Sequence, residues 1–201
     1  MNYNDTYSKS KNAWGEKPSE LLQIIIDDLP VNSNVLDIGS AQGRDSLYLA
    51  SFGHHVTAIE KSEVGHSQLV QTIAENKIVN INPINDDILN FEIEKNKYFL
   101  ISLQNILQFL PKEKSLELVR EIKSKIVLDG LIAISAFTIN DTSYKKSGQK
   151  ILSYFKKQEL LKLFADFHII YYFEKMIFDK GHASTPMPHY HHLARIIAKK
   201  I

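Results

Sequence analysis

The sequence has no cysteine, no long apolar run and no excess of charge of either sign, and each absence narrows the possible functions. Without cysteine the chain forms no disulfide, no thiolate nucleophile and no cysteine-ligated zinc site. It has no apolar run approaching the length of about 18 residues that a membrane span needs. Its polar N-terminus also lacks the apolar centre of a signal peptide. We therefore expect a cytoplasmic protein with no membrane partner.

The balance of charge favours a small-molecule substrate over a nucleic acid. Lysine and arginine total 24 against 23 aspartate and glutamate residues, so no overall positive field attracts nucleic acid. The 201 residues, 44% of them hydrophobic, are enough for one domain with a sizeable core. We expect that domain to span residues 18–201. Residues 1–17 are polar with scattered aromatic side chains, and we predict that they form a tail or a lid.

One stretch, residues 34–60, carries the strongest pattern in the chain. An apolar run at 35–38, too short for a helix, is followed by Gly39 and Gly43 and then by a helix-like segment. A second apolar run ends on Glu60. The order strand, tight turn, helix and strand is typical of half a nucleotide-binding α/β unit.

This order of elements predicts a site for a ribose-containing ligand. A turn that enters a helix exposes unpaired N–H groups, and glycine lets a ligand approach them. Glu60 lies 17 residues after Gly43, close to the interval at which such units carry an acid for the ribose hydroxyls. Asp37, just before the turn, is a candidate to hold a ligand's ammonium group or to order the loop. Dinucleotide dehydrogenases use a related turn, but Ser46 stands here in place of their third glycine.

The segment Asp37-Ile-Gly39-Ser-Ala41-Gln-Gly43-Arg44 resembles motif I of the class I S-adenosylmethionine-dependent methyltransferases. It is most similar to the tellurite-resistance and thiopurine methyltransferase branch, although Ala41 stands where that branch usually has glycine. The resemblance implies S-adenosylmethionine as cofactor and an α/β, Rossmann-like fold. That fold has a seven-stranded, mostly parallel sheet of order 3-2-1-4-5-7-6, helices on both faces and an antiparallel C-terminal hairpin. The implied cofactor-binding residues are Asp37, Gly39, Ser40, Gly43, Arg44, Glu60, Lys61, Asp87, Ile88 and Leu103.

Two of these assignments have alternatives. Arg44 is the candidate for the cofactor's carboxylate, or else a solvated residue of the first helical turn. Asp87 follows the predicted third strand, at residues 81–84, where it would accept a bond from the exocyclic amine of adenine while Ile88 packs on the ring. Paired aspartates in a loop are also ordinary turn chemistry.

The buried run at residues 98–103 is the predicted fourth, central strand. Gln104, Asn105 and Gln108 follow it, and their amides would either face the reacting methyl group or cap the next helix. We take Gln104 as a candidate catalytic residue. The Asn-Pro-Pro-Tyr type of motif found in many base-modifying methyltransferases is absent at this place, which argues against a DNA adenine methyltransferase.

The connection between the last two predicted strands is rich in histidine. His182, His189, His191 and His192 make up half of the chain's eight histidines. Metal binding is one interpretation, because imidazoles two residues apart in a strand share a face. A solvated or hydrogen-bonded hairpin is the other. Since no carboxylate is fixed nearby by spacing, we assign no metal site.

His182 is the second candidate catalytic residue. The similar tellurite-resistance methyltransferases carry a His-Arg pair on this hairpin that faces the substrate site. His182 lines up with that histidine, whereas Ala183 replaces the arginine, so an oxyanion would be held less firmly. A histidine near the sulfonium would still deprotonate or orient a nucleophile.

The sequence thus predicts methyl transfer to a small-molecule nucleophile, such as a thiol or a selenium or tellurium oxyanion. Two alternatives stay open. One is a noncatalytic S-adenosylmethionine-binding module, suggested by Ala41 and the missing hairpin arginine. The other is a nicotinamide-dependent oxidoreductase that uses the same kind of turn.

Overall fold

The computed structural model describes residues 3–144, 152–183 and 185–201. Its seven strands form one sheet in the order β3-β2-β1-β4-β5-β7-β6. Pairing is parallel from β1 to β5, whereas β7 is antiparallel to both β5 and β6. The predicted fold and strand order are confirmed. The strands are β1 Asn34–Ile38, β2 His55–Glu60, β3 Ile81–Asn85, β4 Leu100–Gln104, β5 Leu131–Phe137, β6 His168–Asp179 and β7 His189–Lys199.

Helices cover both faces of the sheet. They are α1 Tyr3–Ser8, α2 Glu20–Ile25, α3 Arg44–Ser51, α4 Glu63–Glu75, α5 Lys112–Lys125 and α6 Glu159–Leu163. Short 3-10 helices lie at Ile26–Asp28 and Leu107–Phe109. In the part of the chain that the structure describes, no helix has the length and apolar character needed to cross a membrane.

Strand β1 shows how the sheet separates two hydrophobic cores. Leu36 and Ile38 belong to the core that includes residues of α5 and α6, whereas Val35 belongs to the core that includes residues of α2, α3 and α4. Asp37 interrupts this buried strand near its carboxyl end. Because open α/β sheets bind ligands at that end, a carboxylate buried there is placed for function as well as for folding.

The N-terminal segment, residues 3–17, contains a helix that the sequence did not predict. On α1, the Tyr7 side chain is buried and lies against Gly65 of α4, where an added Cβ would be 2.9 Å from the tyrosine Cδ2. Ser19 immediately precedes α2. Its hydroxyl donates to Asp45 at 2.6 Å and makes no capping bond, so it ties α2 to the first turn of α3.

The C-terminal hairpin is longer than the sequence predicts. The apolar runs predict strands at residues 167–173 and 193–198, whereas β6 continues to Asp179 and β7 begins at His189. The added residues are mostly half-buried or exposed, so no continuous apolar run marks them. Backbone pairing across the hairpin extends both strands regardless of side-chain polarity, and it moves three of the clustered histidines into β7.

Candidate functional site

The turn between β1 and α3 is built around Gly39. Its φ angle is +75°, in the left-handed region that favours glycine, and an added Cβ would lie 2.1 Å from Ile106 Cδ1. The N–H groups of Gly39 and Ser40 both donate to the Ile59 carbonyl, at 2.8 and 2.9 Å. These bonds hold the turn against the carboxyl end of β2.

Glu60, the last residue of β2, points its carboxylate at the same turn. Its oxygens accept the N–H of Ala41 at 2.8 Å and the N–H of Ser62 at 2.7 Å. Burial raises the pKa of Glu60 above its ordinary value, although the backbone N–H donors oppose the shift. Each carboxylate oxygen has a second lone pair. Glu60 can therefore hold the turn and still accept hydroxyl groups from a ligand.

A cavity of about 1870 Å³ opens beside the turn, and most of the predicted site residues line it. Leu103 and Gly43 do not line it. Leu103 is completely buried in the core beneath the sheet, and Gly43 faces α4, where an added Cβ would lie 2.2 Å from Leu69 Cδ1. Both residues pack against other parts of the protein, and their assignment to the cofactor stays a prediction. The predicted residues that do line the cavity are Asp37, Gly39, Ser40, Arg44, Glu60, Lys61, Asp87, Ile88, Gln104 and His182.

Asp37 is buried at the floor of this cavity, with 2% of its surface exposed. Ser46 donates to one carboxylate oxygen at 2.6 Å. Burial raises the pKa of Asp37 to about 7, the nearby carboxylates of Asp45 and Glu60 add to the shift, and Ser46 and Arg44 oppose it. A cationic ligand group would stabilise the ionised form and reverse part of this shift.

Two buried polar atoms in the cavity wall find no hydrogen-bond partner among the described residues. They are the hydroxyl oxygen of Ser40 and the amide oxygen of Gln108, on side chains 5% and 1% exposed. An unsatisfied buried polar group is costly, so its presence in a cavity wall favours a ligand that supplies the missing partner. Ser40 belongs to the predicted site, whereas Gln108 was noted only as one of three amides after the central strand.

Lys61 and Asp87 form an ion pair at the cavity edge, with Nζ 2.6 Å from Oδ2. Burial raises the pKa of Asp87, but the bonds from Lys61 and from the Leu89 N–H outweigh it, so the pKa lies below its ordinary value. Asp87 is therefore ionised and able to accept a further bond. Ile88, 9% exposed, supplies an apolar wall next to it.

The Arg44 side chain forms hydrogen bonds to three other residues of the protein, rather than being solvated. Its guanidinium pairs with Asp45 through Nε and NH2, both at 3.1 Å. It also donates to the Trp14 carbonyl at 3.0 Å and to the Ser19 hydroxyl at 2.7 Å. The residue joins the N-terminal segment to α3, and its assignment to a cofactor carboxylate stays a prediction.

The N-terminal segment forms one wall of the cavity. Tyr3 stacks on Tyr7 with ring centroids 5.8 Å apart, and Trp14 donates its indole N–H to the Tyr7 hydroxyl at 3.2 Å. Gln42, inside the glycine-containing turn, accepts the Ala13 N–H at 2.8 Å. This segment is therefore fastened to the turn itself, as a lid would be.

Two of the three amides after the central strand, Gln104 and Asn105, form hydrogen bonds to the sheet. Gln104 donates to the Ser102 hydroxyl at 3.1 Å and to the Ala133 carbonyl at 3.2 Å, while its side chain still lines the cavity. Asn105 accepts a bond from the Ser135 hydroxyl at 2.9 Å. Neither amide caps the following 3-10 helix in the described chain. Gln104 thus faces the cavity from a fixed position.

The hairpin brings three of the four clustered histidines together, and two of them, His182 and His191, line the cavity. His182, His189 and His191 lie with Asp179 in one half-buried group, and burial lowers the pKa of His182 below its ordinary value. Asp141 accepts a bond from His191 Nδ1 at 3.1 Å. Neither carboxylate was expected near these histidines from the sequence. Asp179 stands three residues before His182, a usable signal, but no local spacing connects Asp141 with this hairpin.

Replacing Gly39 with alanine is expected to lower the free energy of unfolding by more than the same change at Gly15. Both residues have a left-handed φ, which costs an L-residue about 1–2 kcal/mol. Only Gly39 adds a steric conflict, because no atom lies within 4 Å of a Cβ at Gly15. Urea unfolding of both variants measures the difference. Equal losses would show that Ile106 moves aside freely and that the turn is not tightly packed.

Comparison with known proteins gives a family and a fold. The family described as "Tellurite resistance protein TehB" matches residues 3–183. A probable S-adenosyl-L-methionine-dependent methyltransferase TehB of Haemophilus influenzae is 28% identical over 135 residues, which are 64% of this chain and 46% of that protein. An rRNA adenine N-6-methyltransferase of Limosilactobacillus reuteri is 34% identical over 97 residues, 47% of this chain and 36% of that protein. The chain therefore spans about half or less of these relatives' length.

A solved structure agrees on the fold. The crystal structure of TehB from Haemophilus influenzae has a TM-score of 0.76 with 24% sequence identity. The match covers 90% of this chain and 62% of that one. At this level of identity the likeness concerns the fold, so the roles of individual residues have to be argued from the site itself.

Proposed function

The chain belongs to the TehB tellurite resistance family, and from that premise we propose that it is an S-adenosylmethionine-dependent methyltransferase acting on a small nucleophilic acceptor. The observation that carries the proposal is the position of Glu60. Its carboxylate lies in the wall of the cavity that opens at Gly39, as ribose recognition requires. Glu60 also holds the turn through the N–H groups of Ala41 and Ser62, and its remaining lone pairs stay available to ligand hydroxyl groups.

The other residues of the cavity fit the remaining parts of the cofactor. Asp37 supplies a buried carboxylate for an ammonium group, and the Ser40 hydroxyl lacks a partner within the described chain. Asp87 and Ile88 together offer an acceptor for an exocyclic amine and an apolar surface for a flat ring. When bound, the cofactor supplies an already activated methyl group, so the protein's main tasks are positioning and exclusion of water.

We assign the acceptor side of the cavity to Gln104 and His182. Gln104 is held at the carboxyl end of β4 by the sheet, and His182 enters from the hairpin connection. Each is able to orient an acceptor by hydrogen bonding, and neither needs to be a strong base if the acceptor is already nucleophilic. The N-terminal segment acts as the lid that keeps water from the reacting groups. The cysteine-free composition suits a cytoplasmic enzyme.

Affinity for S-adenosylhomocysteine, which carries the ammonium group, is expected to fall about tenfold from pH 8 to pH 6. The free protein holds Asp37 with a pKa of about 7. Below that pH the carboxyl is largely protonated, and binding an ammonium group then has to release that proton. Affinity therefore rises with pH and levels off above the pKa. Isothermal titration calorimetry in buffers of different ionisation enthalpy measures both the affinity and the released proton.

5′-Methylthioadenosine provides the matched ligand, because it keeps the adenine and ribose but lacks the ammonium and carboxylate. Its affinity is expected to vary less with pH, and any variation left reports Glu60 and other groups near the sugar. The variant Asp37→Asn is expected to bind S-adenosylhomocysteine with the same flat profile. A steep profile that persists in Asp37→Asn would assign the titrating group to another residue.

The activity itself is tested with cofactor labelled in the methyl group. The full chain is incubated with thiols, selenite, tellurite and ribosomal RNA, and labelled product is separated from cofactor. Methylation of a small acceptor is the expected result. Labelling of RNA alone would contradict the small-molecule assignment. Cofactor binding without methylation of any acceptor would favour the noncatalytic module.

A further inference from the structure

A second group of side chains, at the tip of the C-terminal hairpin, has the composition of a metal site. Asp179 of β6 pairs directly across the hairpin with His189 of β7, and His191 lies two residues further along the same face. The connection folds back and brings in His182. One potential ligand atom from each of the four side chains lies within 4.8 Å of all the others.

Hydrogen bonds around the group determine where the imidazole protons lie. His189 Nδ1 is 2.8 Å from the Met187 carbonyl oxygen, which only accepts, so this nitrogen carries the proton. His191 Nδ1 is 3.1 Å from the Asp141 carboxylate, which fixes its proton in the same way. In the neutral rings, both Nε2 atoms are therefore left with bare lone pairs.

Those two Nε2 atoms face each other at 2.8 Å. Two lone pairs at that distance repel each other unless a positive charge lies between or beside them. A shared proton is one way to provide it, at the cost of a charged imidazole in a half-buried cluster. A metal ion is the other, and the neighbouring Asp179 and His182 make the site suitable for it.

We propose that Asp179, His182, His189 and His191 bind one divalent transition-metal ion. Three imidazole nitrogens and one carboxylate oxygen suit Zn²⁺, Co²⁺ or Ni²⁺ better than Mg²⁺ or Ca²⁺. In a tetrahedral site with bonds of about 2.0–2.1 Å, two nitrogens lie about 3.3 Å apart, so the imidazole pair has to open by about half an ångström. Small rotations of the two half-buried rings would provide that movement.

The surrounding backbone supports this arrangement. Asp179 uses Oδ1 to accept the Gly181 N–H at 2.7 Å, which orients the carboxylate. Gly181 has a φ of +105°, and an added Cβ would lie 2.2 Å from the Pro186 carbonyl oxygen. The connection therefore closes tightly enough to return His182 to the tip of the hairpin, and only glycine allows that turn.

An ion in this position would stabilise the lid. The His182 ring lies 4.8 Å from the Trp14 ring, and the Ala183 N–H donates to the Ala13 carbonyl at 3.1 Å. Both contacts join the hairpin connection to the N-terminal segment over the cavity. Fixing His182 on the metal therefore restrains the two elements that lie over the cavity.

The only tryptophan of the chain gives a local signal for the test. Tag-free protein is freed of metal with a chelator and titrated with Co²⁺, and both Trp14 fluorescence and the visible absorption of cobalt are followed. We expect saturation at one ion per chain, quenching of Trp14 and an intense tetrahedral cobalt spectrum that added Zn²⁺ removes. Cobalt absorption and Trp14 fluorescence report metal binding alone. The test of the metal site is therefore independent of whether the protein transfers methyl groups.

Four substitutions separate this site from adventitious histidine binding. His189→Gln and His191→Gln are expected to abolish the cobalt spectrum. Asp141→Asn, which removes the partner of His191 Nδ1, is expected to weaken binding about 10–100-fold. His168→Gln, at the far end of the same hairpin and exposed, is the matched control and should bind like the original chain.

Two results would overturn the proposal. One is the absence of saturable cobalt binding in the original chain. The other is an unchanged cobalt affinity in His189→Gln and His191→Gln, with circular dichroism showing that both metal-free variants are folded.

Discussion

Replacing Glu60 with alanine is expected to weaken the binding of S-adenosylhomocysteine by at least about 100-fold. Two ribose hydroxyls donating to an ionised carboxylate contribute about 1.5–3 kcal/mol each, and the variant loses both bonds. It also leaves the N–H groups of Ala41 and Ser62 without their present acceptor, which loosens the turn at Gly39. Calorimetric titration of both proteins measures the change in affinity.

Two further variants show whether the loss comes from the ribose contact. Glu63→Ala changes an exposed carboxylate three residues away, outside the cavity wall, and is expected to bind normally. Glu60→Gln keeps one acceptor oxygen and most of the shape, so its affinity should fall between those of the original chain and Glu60→Ala. If Glu60→Ala bound the ligand as tightly as the original chain, Glu60 would have no role in holding the sugar.

Replacing Arg44 with alanine is expected to lower the free energy of unfolding by about 2 kcal/mol, or the midpoint of thermal unfolding by about 4–8 °C. The change removes bonds to three groups and leaves the Asp45 carboxylate buried without its cation. The estimate is below that for a fully buried pair because the Arg44 side chain is 28% exposed. The double variant Arg44→Ala with Asp45→Asn is expected to recover part of the loss.

The same variant separates the two possible roles of Arg44. If it mainly joins the N-terminal segment to α3, Arg44→Ala weakens S-adenosylhomocysteine and 5′-methylthioadenosine by similar factors. If it binds the cofactor's carboxylate, only the first ligand is weakened, because the second has no carboxylate. A selective loss of more than tenfold together with unchanged stability would contradict the structural role.

The part of the fold nearest the turn could be predicted from sequence because its signals are local. The apolar runs of β1 and β2, the glycines between them and the terminal Glu60 all lie within residues 34–60. Strand β5, Leu131–Phe137, is likewise a nearly continuous apolar run in the sequence, which is typical of a strand buried on both faces. The apolar runs and the turn glycines are therefore enough to predict the segment at residues 34–60 and strand β5 from sequence.

Other features depend on contacts between distant residues. No spacing rule predicts that Arg44 forms an ion pair with Asp45 and hydrogen bonds to Ser19 and the Trp14 carbonyl. These contacts form only when the N-terminal segment folds onto α3. The bond between Asp141 and His191 spans 50 residues. Leu103 and Gly43 were assigned to the cofactor from their place in a pattern, and only their packing shows that they face the core and α4.

The central claim is that the cavity at Gly39 accepts an adenosyl sulfonium cofactor. It is tested most directly by calorimetric titration of the full chain with S-adenosylhomocysteine and, separately, with NAD. We predict one saturable site per chain for S-adenosylhomocysteine, weakened at least about 100-fold in Glu60→Ala, and no displacement of the bound ligand by NAD. Tight binding of NAD with none of S-adenosylhomocysteine would contradict the account and assign the same turn to a dinucleotide.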